Sequence, residues 1–162
     1  MPFNIVLYEP EIPPNTGNII RLCANTGAHL HLIKPFGFEW DDTRLKRAGL
    51  DYHDLAHVTL HDNLQAYKQQ AQPARVFAFT TKASTCYTEP EYCQGDALMF
   101  GPETRGLPDG LLSETDEQHK LRIPMQPQSR SLNLANAVSV VLYEAWRQLD
   151  FNTDLSPPHP DQ

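Results

Sequence analysis

Three polar segments punctuated by glycine and proline lie beyond the ends of short apolar runs. They span residues 101–108, 123–127 and 129–136, and residues 79–82 form a quieter fourth segment. Glycine and proline permit sharp turns and close backbone approach. In parallel α/β sheets, ligands bind at the carboxyl ends of the strands. The pattern therefore predicts a ligand that is held by backbone N–H and C=O groups where these loops meet.

The signatures of three common classes of α/β enzyme are missing from the sequence. No G-x-G-x-x-G follows a predicted strand, and neither G-x-x-x-x-G-K-[ST] nor G-x-S-x-G occurs. A nicotinamide-dependent dehydrogenase, a P-loop NTPase and a serine hydrolase of the common α/β type are therefore disfavoured.

Histidine and cysteine give little support for a metal site. His53, His57 and His61 recur at intervals of four residues, but residues 58–60 favour a strand, and no carboxylate or cysteine completes a ligand set. Solvated loop histidines are the better interpretation. The three cysteines include no Cys-x-x-Cys pair and do not make a disulfide framework. We predict no metal.

Strands that alternate with helices must position these loops. Strands are predicted at residues 5–8, 29–33, 75–80, 97–100 and 121–123. The first helix is predicted from about Gly17 to Asn25, after a break at Pro13 and Pro14. Asn15 and Thr16 would cap it, and Gly27 would end it in a left-handed conformation. Three more helices are predicted, from Asp41 to near Gly49, from a cap at Asp62 to about Gln70, and from Asn133 to Leu149. The fold class is therefore α/β, with a mostly parallel sheet and helices on both faces.

The last predicted helix carries little polar surface. Its apolar residues are Leu134, Ala135, Ala137, Val138, Val140, Val141, Leu142, Ala145, Trp146 and Leu149. A helix that is apolar nearly all round must be buried on nearly all sides, and a single small sheet covers one side only. We therefore predict a homodimer with this helix in the interface.

Length and composition indicate one globular domain over residues 1–150, with a disordered tail over residues 151–162. The chain has 162 residues, of which 40% are hydrophobic and 20% charged. No apolar run approaches membrane-spanning length, and no basic residue precedes the first apolar stretch. We expect a cytoplasmic protein that does not bind a membrane.

The formal net charge of −7 argues against a nonspecific nucleic-acid binder. It is compatible with an RNA enzyme that has a local basic patch. Arg44, Lys46 and Arg47 form a small basic cluster, which is either a solvated helix face or an RNA contact. The charge pattern alone favours neither interpretation.

Three segments in order resemble the sequence motifs of the SPOUT RNA methyltransferases. They are residues 15–21 (NTGNIIR), residues 100–106 (FGPETRG), and residues 123–125 (IPM) followed by residues 131–138 (SLNLANAV). The resemblance covers residues 4–149. It is closest to the small single-domain subgroup, the TrmL type, that methylates the ribose of the wobble nucleotide, position 34, in certain leucine tRNAs.

This resemblance implies S-adenosylmethionine as the cofactor, tRNA as the partner and a deep trefoil knot near the C-terminus. It assigns cofactor contacts to Phe79, Gly101, Ile123, Met125 and Ser131, with Glu103 close by. It assigns residues needed for methyl transfer to Asn15, Arg21, Ser131 and Asn133. No departure from the motif pattern is visible, which favours an active enzyme over a decayed relative.

Arg21 is poorly suited to act as a general base, because a guanidinium stays protonated in water. We prefer Arg21 as a phosphate clamp that also stabilises the developing 2′-alkoxide. Ser131 and Asn133 would position the ribose or order their loop. Two alternatives to wobble methylation stay open, a non-catalytic RNA-binding module and the same chemistry at another RNA position.

Several of these residues also have a purely structural interpretation. Asn15 is of a type that caps helices, and Ser131 and Asn133 could begin the last helix. Glu103 and Arg105 could form a surface ion pair of little energetic value.

Overall fold

The protein's structure, a computed structural model, describes residues 3–153 and 155–156. The strands are β1 (Asn4–Tyr8), β2 (His29–Ile33), β3 (Val58–His61), β4 (Val76–Phe79), β5 (Thr85–Cys86), β6 (Ala97–Phe100) and β7 (Lys120–Arg122). The helices are α1 (Pro13–Thr26), α2 (Asp42–Arg47), α3 (Tyr52–Leu55), α4 (Leu64–Ala71), α5 (Asp109–Ser113) and α6 (Leu134–Gln148), with a 3-10 turn at Glu117–His119.

The sheet is parallel throughout the described residues and has the strand order β3-β2-β1-β6-β4-β7-β5. Parallel strands that are linked by helices place all their carboxyl ends at one edge. The predicted α/β class with a mostly parallel sheet is therefore confirmed.

Apolar residues of β1 divide between two faces of the sheet. Ile5 and Leu7 pack in a cluster with residues of α1 and α6, whereas Val6 packs on the other face with Tyr67 of α4 and Leu112 of α5. This division follows from the two-residue period of a strand. Helices therefore cover both faces, as predicted, and α1 and α6 share one of them.

The start of α1 differs from the prediction. The helix begins at Pro13, after Ile12 at the N-cap, so the two prolines open the helix and do not break it. Proline suits the first helical positions because its missing N–H has no partner there in any helix. Asn15 and Thr16 are buried inside the first turn and are not caps. The predicted left-handed end at Gly27 is confirmed by its φ of 78°.

Smaller differences occur along the chain. Asn63, not Asp62, caps α4 through its side-chain oxygen, which accepts from the backbone N of Ala66 at 2.8 Å. The short elements α3 and β5 were not predicted, because their sequences, YHDL and TC, contain no apolar run or repeat that would indicate them. Residues 58–60 lie in β3, as their composition indicated.

The interpretation of the three histidines as solvated loop residues is wrong for His61, whereas His57 lies half-buried in a turn. His61 ends β3 and is 3% exposed, and its Nε2 lies 2.9 Å from Nδ1 of His31 in the neighbouring strand. His53 is exposed but lies in α3. Within the described part of the chain, no group of three or more His, Cys, Asp or Glu residues could hold a metal ion.

The predicted tail falls partly on residues that pack. Phe151 contacts the ring of Trp146 at 5.5 Å between centroids, and the indole N–H of Trp146 donates to Asn152 at 2.9 Å. Residue 154 and residues 157–162 of that prediction lie outside the described residues. None of the described helices is both long and apolar enough to cross a membrane.

Candidate active site

A cavity of about 440 Å³ opens where β4, β6 and β7 end. Its wall comes from these strand ends, the start of α1 and the start of α6. The residues that line it include Ile12, Asn15, Phe79, Lys82, Phe100, Gly101, Glu103, Leu107, Arg122, Ile123, Met125, Ser131 and Asn133. A cavity of this size suits a small organic ligand.

The cavity brings together segments that are far apart in the sequence. All six residues assigned to the cofactor line it, namely Phe79, Gly101, Glu103, Ile123, Met125 and Ser131. Asn15 and Asn133, assigned to methyl transfer, line it as well. Arg21 does not. The segments for which a ligand site was predicted thus line one concave surface.

The floor of the cavity is aromatic. Phe79 and Phe100 are paired residues on adjacent strands, and their rings stack at 4.7 Å with an interplanar angle of 8°. Both side chains are largely buried, at 8% and 3% exposure. A flat apolar surface of this kind can accept the face of a purine ring.

Gly101 allows the loop after β6 to fold back on itself. An added Cβ at this position would lie 2.5 Å from the backbone carbon of Gly106 and would also overlap the backbone N of Leu107. Only glycine permits this approach. The turn closes through the N–H of Gly106, which donates to the carbonyl of Pro102 at 2.8 Å.

Glu103 ties this loop to the chain just before α1. Its carboxylate accepts from the backbone N–H groups of Glu11 at 2.9 Å and Ile12 at 2.6 Å. In return, the Glu11 carboxylate accepts from the backbone N and the hydroxyl of Thr104, both at 2.8 Å. The bonds from Thr104 hold the pKa of Glu11 below its usual value. Four hydrogen bonds therefore fix one wall of the cavity.

The alternative interpretation of Glu103 and Arg105 as an ion pair is wrong. The guanidinium of Arg105 lies 3.8 Å from carboxylate oxygens of Glu9 and Glu11, while Glu103 faces backbone N–H groups. A carboxylate near the first N–H groups of a helix is electrostatically favourable. Glu103 therefore has an organising role for the site.

Asn15 connects the three motifs. Its Nδ2 donates to Glu103 at 3.4 Å, and its Oδ1 accepts from Nδ2 of Asn133 at 3.0 Å. The Asn133 Oδ1 accepts from the backbone N of Asn136 at 3.2 Å, so Asn133 also caps α6. The chain Glu103–Asn15–Asn133 thus links the loop after β6, the start of α1 and the start of α6. Asn15 itself is 7% exposed.

Arg21 lies further along α1, away from the cavity lining. One guanidinium nitrogen donates to the carbonyl of Gly49 at 2.5 Å, and another lies 3.5 Å from Asp54. The side chain is 49% exposed, so its remaining donors face solvent. Within a single chain Arg21 does not reach the cavity. A role in methyl transfer therefore requires that the bound RNA spans the distance between them, or that Arg21 of a second subunit lies near the cavity.

Two cations at the rim were not among the predicted site residues. Lys82 lies in the quiet segment after β4 and pairs with Asp109 at 2.5 Å. Arg122 ends β7, and in the described part of the chain no carboxylate lies within ion-pair distance of it. The only signal in the sequence was their position at strand ends.

Known proteins are similar to this chain in both sequence and fold. Residues 2–143 match the SpoU rRNA Methylase family. A tRNA (cytidine(34)-2'-O)-methyltransferase from Escherichia coli (strain K12) is 62% identical over 148 residues, which cover 91% of this chain and 94% of that protein.

Two solved structures extend the comparison. One, which concerns the 2-OH methylation of C/U34 on tRNA, has a TM-score of 0.83 at 46% identity and covers 93% of this chain and 97% of that chain. An AdoMet-bound rRNA methyltransferase from Sinorhizobium meliloti has a TM-score of 0.78 at 27% identity, over 91% of this chain and 57% of that chain. By sequence and by fold, the chain belongs to the SpoU rRNA Methylase family, which confirms its resemblance to the SPOUT RNA methyltransferases.

Proposed function

We propose that this protein is a tRNA ribose 2′-O-methyltransferase that uses S-adenosylmethionine and modifies the wobble nucleotide, cytidine or modified uridine 34, of leucine tRNAs. The observation that carries the proposal is the single cavity in which residues of all three motifs meet. The 62% identity to a tRNA (cytidine(34)-2'-O)-methyltransferase over 91% of the chain supports the choice of substrate.

The cavity fits the cofactor chemically. Phe79 and Ile123 offer apolar surface to an adenine ring, while the loop at Gly101 brings backbone groups close enough to bond polar edges. Met125 and Ser131 complete the pocket from the opposite loop. When bound, S-adenosylmethionine supplies a methyl group on a sulfonium, which an oxygen nucleophile can attack in line.

The protein's contribution to the reaction is mainly positioning. A ribose hydroxyl is a weak nucleophile until it loses its proton or its anion is stabilised. Holding it against the methyl donor in the right geometry supplies a large part of the rate acceleration. Asn15 and Asn133, which are fixed by each other and by Glu103, orient the ribose, and Ser131 orders the loop that faces them.

Arg21 acts on the RNA and not on the cofactor. Its half-exposed guanidinium keeps donors free for a phosphate while two of its nitrogens are held by Gly49 and Asp54. A guanidinium clamped in this way binds phosphate and stabilises negative charge that develops on the 2′-oxygen.

We also propose a homodimer with α6 in its interface. One chain buries Val138, Val141 and Leu142 of α6 but leaves Val140 and Tyr143 at 40% and 44% exposure. Ile12 and Leu132 at the cavity rim are similarly exposed, at 40% and 42%. A second subunit on this face would cover all four and would bring new residues to each cavity. Sedimentation of the wild type should give twice the chain mass.

Two further parts of the proposal follow from the family. After β7, the chain forms the trefoil knot of the SPOUT fold. The strand order is consistent with such a knot, because β6 lies between β1 and β4, and β7 lies on the far side of β4. The protein works in the cytoplasm, where its tRNA substrate is modified.

The test is methyl transfer from labelled S-adenosylmethionine to total tRNA from cells that lack this protein, followed by mapping of the labelled nucleotide. We expect label on the ribose of nucleotide 34 in leucine tRNAs. Label at a different nucleotide would move the same chemistry to another RNA position. Absence of label, with tRNA still bound, would replace the enzyme with an RNA-binding module.

A further inference from the structure

Unpaired cations are unevenly distributed over this acidic protein. Counting only carboxylates among the described residues, eight of the 13 basic side chains lie within 4.0 Å of one. Among the described residues, those without such a partner are Lys46, Arg47, Lys68, Arg122 and Arg130. Arg122 lines the cavity and Arg130 lies in the loop that follows it, whereas Lys46 and Arg47 are neighbours on α2. A chain with a net charge of −7 thus leaves two adjacent cations uncompensated at one surface site.

The helix α2 presents these cations to solvent. None of its six residues is buried, and only Leu45 packs against the core. Arg44, on the same helix, is 76% exposed and 3.6 Å from the capping residue Asp41, which is itself engaged by the backbone N of Thr43. An exposed pair of this kind contributes little and is easily exchanged for a phosphate.

An aromatic side chain lies on the same segment. Tyr52 begins α3 and is 87% exposed, and its ring contacts no other aromatic ring in the described part of the chain. Burial of an aromatic ring is strongly favourable, so such exposure is unusual. An exposed tyrosine on the same segment as exposed arginine and lysine residues suits RNA binding, through base stacking and phosphate contacts.

This surface is tied to the active-site helix. Arg21 of α1 bonds the carbonyl of Gly49, between α2 and α3, and lies 3.5 Å from Asp54 of α3. Arg21 follows Asn15 by six residues, which is about 9 Å along a helix axis. The surface therefore stands on the same face of the sheet as α1, within reach of nucleotides near the one that enters the cavity.

We infer that Arg44, Lys46, Arg47 and Tyr52, here called the α2–α3 surface, bind the anticodon arm of the tRNA beside the reacting nucleotide. The three cations contact backbone phosphates, and the tyrosine ring stacks on an unpaired base. This inference rests on the proposed function and adds to it the surface that holds the substrate. It also explains how a protein of net charge −7 binds a polyanion.

The first variant for testing it is K46Q/R47Q, with the wild type as the reference. Glutamine keeps helix propensity and removes both charges. We expect the Kd for leucine tRNA to rise about tenfold and the log–log slope of affinity against salt to fall by about two, one per lost phosphate contact. Binding of S-adenosylmethionine and kcat at saturating tRNA should stay at wild-type values.

Two matched comparisons sharpen the test. K68Q removes an equally unpaired, exposed lysine from α4, on the opposite face of the sheet, and should leave the tRNA Kd and salt slope unchanged. Y52F should bind tRNA as the wild type does, whereas Y52A should lose several-fold in affinity, because stacking needs the ring and not the hydroxyl.

The outcomes separate this inference from the proposed function. If wild type methylates tRNA but K46Q/R47Q binds it like K68Q, the α2–α3 surface is not the RNA contact and the enzyme assignment stands. If K46Q/R47Q alters the oligomeric state along with tRNA binding, the surface is a subunit contact and the inference is wrong. If wild type methylates nothing, the proposed function fails, while the binding and salt measurements still decide the RNA contact.

Discussion

The oxygen and the nitrogen of the Asn133 side-chain amide make contacts with different roles. Its oxygen caps α6 by accepting from the backbone N of Asn136, and its nitrogen donates to Asn15 inside the site. Stability and positioning are therefore separable at this residue. A substitution that keeps a capping side chain but cannot donate to Asn15 in the same geometry should remove only the positioning contribution.

Replacement of Asn133 by serine tests this separation. Serine is a good N-cap, so we expect the free energy of unfolding to stay within about 0.5 kcal/mol of wild type. The Asn15 oxygen loses its donor, so kcat should fall at least about tenfold. Urea unfolding and single-turnover methyl transfer measure the two effects.

The alanine variant N133A serves as the comparison. It should lose both activity and about 1 kcal/mol of stability, since alanine cannot cap. Full activity in N133S would mean that the contact between Asn15 and Asn133 is dispensable for transfer.

Which residues line the site could be predicted from the sequence, but not what they bond. The residues that the family resemblance assigns to the cofactor, such as Phe79 and Met125, all line one cavity. The segments that carry them lie at or beyond the ends of predicted strands of a parallel sheet. The partners of Glu103 lie about 90 residues away, at Glu11 and Ile12, and no local pattern indicates such a bond. The role of Arg21 stays a prediction.

At the scale of elements, the loop between β6 and α5 shapes the cavity. It turns back so tightly that Gly101 touches the backbone at Gly106 and Leu107. The positive φ of 68° at Gly106 makes this turn possible. The loop is then fixed to the start of α1 by the bonds of Glu103 and Thr104.

A methyl group at position 101 should therefore open the loop. In Gly101→Ala the new Cβ has no space, so we expect at least about tenfold weaker binding of S-adenosylmethionine and a loss of about 1–3 kcal/mol in stability. Isothermal titration and thermal unfolding measure these effects.

Gly110→Ala is the matched control, because nothing lies within 4 Å of an added Cβ there and the residue is helical. It should bind the cofactor as the wild type does. Wild-type cofactor affinity in Gly101→Ala would show that the close approach of this loop has no importance for the pocket.

Strands with an apolar run and the long helix α6 could be predicted, whereas the short polar elements α3 and β5 could not. The strands β1, β2 and β6 and the helix α6 lie within a residue or two of their predicted bounds. The start of α1 was placed four residues late, since Pro13 and Pro14 read as a break and also suit the first turn of a helix. Only the flanking contacts, which sequence does not display, decide between these outcomes.

At the scale of the whole molecule, a buried histidine chain links stability to pH. The Asn4 amide nitrogen donates to the carbonyl of Gly95, so the Asn4 oxygen is the acceptor for Nε2 of His31 at 3.2 Å. With its proton on Nε2, His31 accepts at Nδ1 from His61 at 2.9 Å. Burial, with the nearby His29 and His61, lowers the pKa of His31 to about 3. Burial also lowers the pKa of His61.

Acid should therefore destabilise the fold well before its carboxylates titrate. The unfolded chain takes up a proton on His31 below the ordinary pKa of 6.5, whereas the folded chain does so only near pH 3. The free energy of unfolding thus falls as pH drops from about 6.5 towards 3, by at most about 1.4 kcal/mol per pH unit for this group.

The variant H31Q isolates this contribution, because glutamine keeps an acceptor but does not titrate. Urea unfolding at pH 7 and pH 5 should show that the wild type loses about 1–2 kcal/mol more than H31Q over this interval. Equal losses in the two proteins would mean that His31 is not the group that senses acid.

The proposed reaction depends on one oxygen atom, the 2′-hydroxyl of nucleotide 34. The most direct measurement compares a leucine tRNA with two copies that each carry a single 2′-deoxy nucleotide, one at position 34 and one at a neighbouring loop position. We predict full transfer of labelled methyl to the unmodified tRNA and to the neighbouring deoxy control, and none to the tRNA that lacks the hydroxyl at position 34. Undiminished transfer to the 34-deoxy tRNA would contradict the proposed function, because the methyl group would then be reaching a different atom.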